Sequence, residues 1–396
     1  MNYQNLSHSD RYILLCCYFI FFVNGLYAMV FGAIIPLIST EYQLSDTMSG
    51  LLLSGHQMGN LIAGLVAGIL PVYYGRKKSI LFLSSFVMVG FLIMIVTGNP
   101  ILLLSGFFFT GISRGSISNF NNKTVNDISH SDPAALNLLH SIFAIGALIS
   151  PFLVIGATNL FGHTGWKWVS GLMIVLILIS QILFSRMDVE DTVEEKQTQN
   201  VKDYSFFKDR FFWNAVLILF FYLCAESVIT GWLVKYFIDT NTLQVSQAQL
   251  ISSLLWLAIL LGRLFCVFYG SRFTKGNLIT GISFGMTIFY FLLLNSTNLT
   301  MILISITGLG FSMGGIYPTA MTIAGASIKK HPMAMGWILI IGGIGAILMP
   351  TITGILSENM NIFAGIAAVV VAIILMFLSV LWYRFGNEKR IEKINR

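Results

Sequence analysis

The chain alternates long runs without charge and short stretches that gather most of it. Residues 12–40 contain no Asp, Glu, Lys or Arg, and a helix needs about 20 apolar residues to cross the hydrocarbon of a bilayer. By that criterion the pattern predicts membrane-spanning helices near 12–38, 48–73, 79–97, 100–122, 134–159, 167–185, 211–237, 247–270, 276–294, 299–325, 333–356 and 361–383, twelve in all. Two divisions rest on turn chemistry. "TGNPI" (Thr97 to Ile101) splits 79–113 and "NSTNLT" (Asn295 to Thr300) splits 276–328, through Gly-Asn-Pro and a polar Asn/Ser/Thr cluster. The first run is too long for a signal-peptide core and no A-x-A-like site follows, so the first helix is expected to stay in the membrane.

Composition agrees. Of 396 residues, 56% are hydrophobic and 10% charged, against about a quarter charged in a typical soluble domain; mean hydropathy is +0.80. So few charges cannot cover the apolar surface of a soluble fold of this length. Cys16, Cys17, Cys224 and Cys266 all lie in apolar stretches, without metal-ligand spacing or a disulfide framework.

The net charge of +6 is topological. With twelve spans starting inside, Arg76, Lys77, Lys78, the stretch Arg186 to Arg210, Arg272, Lys275, Lys329, Lys330 and the tail from Arg384 to Arg396 fall on one side, and only Lys167 and Lys235 on the other. The positive-inside rule then places both termini in the cytoplasm of a cell-membrane protein. Anionic membrane lipids explain the basic balance, and no nucleic-acid partner is expected.

The chain reads as two halves: an N-terminal six-helix bundle over 1–185, a cytoplasmic linker over 186–210, a C-terminal six-helix bundle over 211–384 and a basic tail over 385–396. "IGALISP" (Ile145 to Pro151) in the fifth span recurs as "IGAILMP" (Ile344 to Pro350) in the eleventh, and "YYGRKKS" after the second span has a counterpart in "FYGSRFTKG" after the eighth. Duplicated halves are a signature of secondary transporters, with the solute site near the bilayer midplane.

These features resemble the major facilitator superfamily: twelve helices in two pseudo-symmetric bundles, all-α. Within it, "LNLLHSIFAIGALISP", "YLCAESVITGWLVKYF", "SLLWLAILLGRL" and "GLGFSMGGIYPTAMTIAG" resemble the fucose:proton symporter family. That resemblance implies monosaccharide uptake driven by protons or sodium. In that family, acids on the first and fourth helices take part in proton coupling. The positions here are close to Gly32 and Ser118, which cannot ionise. The seventh-helix acid is present as Glu226, and His140 occupies the fifth-helix polar site.

Polar groups at membrane depth are the candidate chemistry. A central carboxylate such as Glu226 costs about 2.5–3.5 kcal/mol on insertion scales. It can carry a proton, accept hydrogen bonds from a hydroxylated solute, or lock helices together. Tyr222 and Thr230 share its face at i−4 and i+4. Arg114, Ser118 and Asn122 form a stripe on the fourth span, where a guanidinium can bind an anion, pair with an acid such as Glu226, or be held by backbone carbonyls. His56 lies on the second span with Gln57 and Asn60, and Asn24 and Tyr27 share a face of the first. Tyr317 and Trp256 can stack on a sugar ring, against a packing role for each aromatic.

No phosphate loop, metal-ligand cluster or nucleophile elbow is present, so neither an enzyme nor a cofactor is expected. The reading is a monomeric secondary transporter of a small polar solute, a sugar or a derivative including an anionic one, coupled to H+ or Na+. An exporter of amphipathic compounds is the alternative, which 32 Phe and 17 Met do not exclude. A non-transporting receptor would need neither an acid and an Arg at depth nor matching halves.

Overall fold

The structure, a computed structural model, describes residues 7–129, 133–187, 204–331 and 333–394. Its helices are α1 (His8–Tyr42), α2 (Asp46–Tyr74), α3 (Arg76–Val96), α4 (Pro100–Ile128), α5 (Pro133–Phe161), α6 (Gly165–Arg186), α7 (Arg210–Asp239), α8 (Val245–Tyr269), α9 (Lys275–Leu294), α10 (Leu299–Ile323), α11 (Gly325–Lys330), α12 (Met333–Asn359), α13 (Ile362–Ala367) and α14 (Val369–Ile394). No strand occurs among the described residues. Each predicted span has its helix, the last one interrupted at Ala368. Among the described residues, ten stretches are long and apolar enough to cross a membrane, and one of them, Leu138–Arg186, runs over both α5 and α6.

The turn signals work as helix caps. Asn99 accepts from the backbone N–H groups of Ile101 and Leu102, with Pro100 opening α4, and Asn298 accepts from Met301 N at the start of α10. A side-chain oxygen satisfies donors that the helix itself leaves open.

The chain divides into two compact units, Met1–Gln197 and Thr198–Arg396. In the first, α1 packs on α4, α5 and α6, α4 on α2 and α3, and α3 on α6. In the second, α7 packs on α10, α12 and α14, α10 on α8 and α9, and α9 on α14. The two sets of pairs are the same, taken in chain order.

Glycine sets these crossings, since helices in lipid associate through close packing of small residues rather than through expulsion of water. A Cβ on Gly146 would strike the Phe22 carbonyl of α1, and one on Gly345 the Phe220 carbonyl of α7. These are the glycines of "IGALISP" and "IGAILMP", so the repeated motif marks the α1–α5 and α7–α12 contacts. Gly59 and Gly111 likewise bring α2 onto α4, and Gly262, Gly310 and Gly314 bring α8 onto α10.

Several charges at the helix ends have partners. Arg76, which opens α3, reaches Asp127 near the end of α4 at 3.1 Å, and Lys275, which opens α9, donates to the Thr322 carbonyl near the end of α10. Lys167 pairs with Glu41 at 2.5 Å, and the Trp166 indole donates to the same carboxylate at 2.6 Å. Lys235 pairs with Asp239 one turn on. The two lysines that break the charge asymmetry of the sequence are therefore both offset by a carboxylate.

Much of the expected linker, 188–203, lies outside the described residues. Its last residues form a short turn, Ser205–Lys208, that buries Phe206 against Phe212 and brings Ser205 to His331 at 3.2 Å. The expected tail continues α14 as far as Ile394.

Replacing Gly111 by Ala puts a methyl on the His56 carbonyl and should cost about 1–3 kcal/mol by overpacking. Gly171→Ala, where nothing lies within 4 Å, is the control without loss. Thermal unfolding of the detergent-solubilised protein separates the two; equal melting temperatures would refute the role given to the α2–α4 crossing.

Candidate functional site

Each unit holds a polar cluster that contains charged side chains within its spans. In the first unit it is built on α4. Arg114 lies midway along this helix, between Gly111 and Gly115. Both glycines admit α2: a Cβ on Gly111 would meet the backbone of His56, and one on Gly115 the backbone of Asn60. The close approach sets His56 beside Arg114. His56 is buried, with Nδ1 2.9 Å from Thr110 Oγ1 and Nε2 3.4 Å from Arg114 Nη1.

The donors order this chain of contacts. The Thr110 hydroxyl spends its proton on the Phe107 carbonyl at 2.7 Å. Its oxygen therefore accepts from His56 Nδ1–H, and Nε2 is left to accept from the guanidinium, an arrangement that suits neutral imidazole. Phe31 lies against the same ring at 4.7 Å.

From α1, Asn24 donates to Ser118 Oγ at 3.0 Å. Asn24 Oδ1 is buried without a hydrogen-bond partner among the described residues, and the Tyr27 hydroxyl is buried beside Ser113. Arg114 acts electrostatically on Tyr27 as well as on His56. A buried polar atom without a partner is uncommon and costly, and Asn24 Oδ1 is one, on the side chain that reaches Ser118 one turn from Arg114.

In the second unit the cluster joins α7, α8 and α10. Tyr222 is buried, and its hydroxyl lies 2.9 Å from Glu226 Oε1 and 3.2 Å from the Met313 carbonyl of α10. The Glu226 carboxylate is half-buried. Thr230, on the same face, spends its hydroxyl on the Glu226 backbone carbonyl at 2.7 Å. Glu226 and Arg263 of α8 both act electrostatically on Tyr222 and on Tyr317 of α10. Arg263 follows Gly262, which packs on the Phe311 backbone, while Gly314 packs on Ile259 and on the Arg263 amide. Trp256 is buried on α8, seven residues before Arg263 and so on the same face.

Of the residues singled out in the sequence, the first unit thus gathers Arg114, Ser118, Asn24, Tyr27 and His56, and the second Glu226 and Tyr317. Asn122 is half-buried one turn beyond Ser118. His140 is exposed on α5, its ring edge-on to Phe21 at 5.4 Å, and it joins neither cluster. Arg263 escaped the sequence reading. It is the only charged residue between Val245 and Ser271, and the cost of a charge within a span, which identified Glu226 and Arg114, would have identified it too. Among the described residues, no group of His, Cys, Asp and Glu has metal-binding geometry, and the four cysteines are free.

The family model described as Major Facilitator Superfamily matches residues 17–241 and 234–396. Among curated proteins, the chain is 23% identical to a Protein TsgA homolog of Yersinia enterocolitica, over 88% of this chain and 89% of the relative. It is 24% identical to a TsgA homolog of Buchnera aphidicola, over 93% and 95%. Similar solved folds include a mutant of the nucleoside transporter NupG, with TM-score 0.76, 12% identity and coverage of 93% of this chain and 99% of the other. A bacterial homolog of the human lysosomal transporter Spinster, inward-facing and occupied, gives 0.77 at 14% identity, covering 96% and 97%. The E. coli fucose:proton symporter FucP gives 0.62 at 18% identity, covering 95% and 99%.

Tyr222→Phe removes the donor to Glu226 and to the Met313 carbonyl. Hydrogen bonds between membrane helices average about 0.6 kcal/mol and reach about 1.7, so thermal or denaturant unfolding should register a loss in that range. An unchanged melting temperature would show that this hydroxyl does not tie α7 to α10.

Proposed function

The chain belongs to the major facilitator superfamily, and we propose that it is a cation-coupled secondary carrier of a small polar solute, a sugar or a sugar derivative. It is an integral membrane transporter and not an enzyme. The observation that carries the finer reading is the Glu226 cluster. Among the described residues Glu226 is the one carboxylate far from a helix end, about 20 Å along α7 from Asp239 at 1.5 Å per residue. An ion at such depth is costly unless it faces the bundle interior or water, and the tyrosine and arginine around it make the interior the favourable side.

The names of two similar folds, a nucleoside transporter and a fucose:proton symporter, support a small hydroxylated solute and a proton as the coupling ion. The acids of the first and fourth helices implied by the fucose-symporter resemblance are replaced by Gly32 and Ser118, which leaves Glu226 as the group to take up the cation. The cycle follows from charge. Solute and cation enter from one side and lower the cost of closing the polar groups away from water. The fully loaded carrier then opens to the other side and the empty carrier returns, while a carrier that holds only the solute or only the cation faces a higher barrier. In the first unit Arg114 and His56, with Ser118, Asn24 and Tyr27, supply donors and acceptors, with Asn122 one turn beyond Ser118 and His140 apart on α5; in the second unit Trp256 and Tyr317 supply flat apolar surface. Both termini lie in the cytoplasm of the cell membrane, and the carrier works as a monomer.

Proteoliposomes test this reading. Radiolabelled sugars and nucleosides should exchange in counterflow, and an inward proton gradient should drive accumulation. Glu226→Gln should keep counterflow and lose gradient-driven accumulation at least tenfold. If accumulation keeps its wild-type dependence on pH in that variant, Glu226 is scaffold and coupling lies elsewhere.

A further inference from the structure

In the first unit, the partners of His56 fix where its ring holds a hydrogen. Nδ1 lies 2.9 Å from Thr110 Oγ1, and the Thr110 hydroxyl already donates to the Phe107 carbonyl at 2.7 Å. Nδ1 therefore carries the hydrogen and donates it to Thr110. Nε2 lies 3.4 Å from Arg114 Nη1. A guanidinium donates and never accepts, so the contact uses the lone pair of Nε2. Phe31 of α1 lies against the ring at 4.7 Å. Two glycines hold the geometry: Gly111 and Gly115, on either side of Arg114, seat α4 on the backbone of His56 and Asn60.

The other charges of the helices packed on α2 lie further off. On α4, Lys123 and Asp127 follow Arg114 by nine and thirteen residues. On α1, which brings Phe31, the Tyr27 phenol is one turn away from that ring. The charges of α3, Arg76 to Lys78, follow the end of α2, about 27 Å along its axis from His56, and Asp46 of α2 itself is about 15 Å away. Arg114 is thus the charge in contact with this ring, and that contact excludes a second proton. A proton from the medium that binds Nε2 takes the lone pair that accepts from Nη1–H. N–H then faces N–H, and imidazolium faces guanidinium where charge is weakly screened. The ring keeps its bond to Thr110, and the guanidinium has to leave.

We propose that His56 is a proton-dependent positioning residue: neutral, it holds the Arg114 guanidinium against α2, and protonated, it releases that guanidinium to a polar group of the solute. This rests on the carrier reading above and adds control of the first unit's donors to the coupling assigned to Glu226. The ring is the fixed partner, buried and held through Thr110 and Phe31. Arg114, half-buried on a long side chain, is the moving one. Linkage makes the effect reciprocal. A solute that draws Arg114 off His56 lets the ring take a proton, and a proton on the ring favours the solute.

Nitrogen NMR of the full chain, isotope-labelled at histidine and held in lipid nanodiscs, reads the ring directly. His56→Gln, which accepts from Arg114 but takes no proton, identifies its signals among the six histidines. The neutral ring should carry its hydrogen on Nδ1 and gain the second on Nε2 as the pH falls. Arg114→Gln and Arg114→Met should let it do so at a proton concentration at least about tenfold lower. Flux is read by counterflow of the radiolabelled sugars and nucleosides at subsaturating concentration. In the Glu226→Gln background it should still rise at least about fivefold between about pH 8 and pH 5, and adding His56→Gln should abolish the rise. Gel filtration and melting temperature check folding, and the wild-type tautomer carries the test where a variant does not fold. A neutral ring with its hydrogen on Nε2, or a titration that the Arg114 variants leave unmoved, overturns the proposal. So does a rise in counterflow that survives His56→Gln. Absence of counterflow for every compound counts against the carrier reading, while the NMR titration decides the His56–Arg114 linkage without it.

Discussion

Backbone against backbone at glycine is the contact on which the rest depends. In hydrocarbon there is no water to expel between two apolar helices, so association rests on how closely the helices approach and on the few polar groups they share. Gly59, Gly111 and Gly115 let α2 lie on α4, and Gly262, Gly310 and Gly314 let α8 lie on α10. A single methyl at most of these positions would fall on a carbonyl of the facing helix. The same approach that makes the contact also places the chemistry: His56 meets Arg114 at one crossing, and Arg263 is carried by the other.

The duplication can be read through these contacts. Gly146 and Gly345 seat against Phe22 and Phe220, and Gly111 and Gly310 against His56 and Leu255, all at nearly the same displacement along the chain. That correspondence sets Asn24 opposite Tyr222 and Ser118 opposite Tyr317. In the first unit an amide donates from α1 to α4; in the second a phenol donates from α7 to α10. The tie between the first and fourth helices of each unit is therefore kept while its chemistry has changed.

The helices were legible in the sequence because most of the charge lies at or beyond their ends, and the turns because Asn99 and Asn298 are caps as well as breakers. Parts of the first cluster were legible too. The i, i+4 spacing put Arg114 and Ser118 on one face, and Asn24 and Tyr27 share another. That His56 meets Arg114 through Thr110 is tertiary, and no spacing along one helix contains it. Arg263 was missed for a different reason: an otherwise apolar run absorbs a single charge when only the average is read. The burial of Phe206 at the end of the linker, beside His331, joins segments far apart in sequence and left no local signature.

Helix packing repeats between the units, but charge does not. Arg114 sits on the fourth helix of the first unit, where the second has Met313; Glu226 and Arg263 have Ala28 and Gly64 at the corresponding places. A charge within a span costs several kcal/mol unless it meets a partner or water, so a duplicated scaffold with no task for these groups would be expected to shed them in both copies. What survives is a guanidinium beside a histidine in one half and a carboxylate beside a tyrosine, with Arg263 on α8, in the other. The glycine crossings are what the two units share, and the buried charges are where they differ.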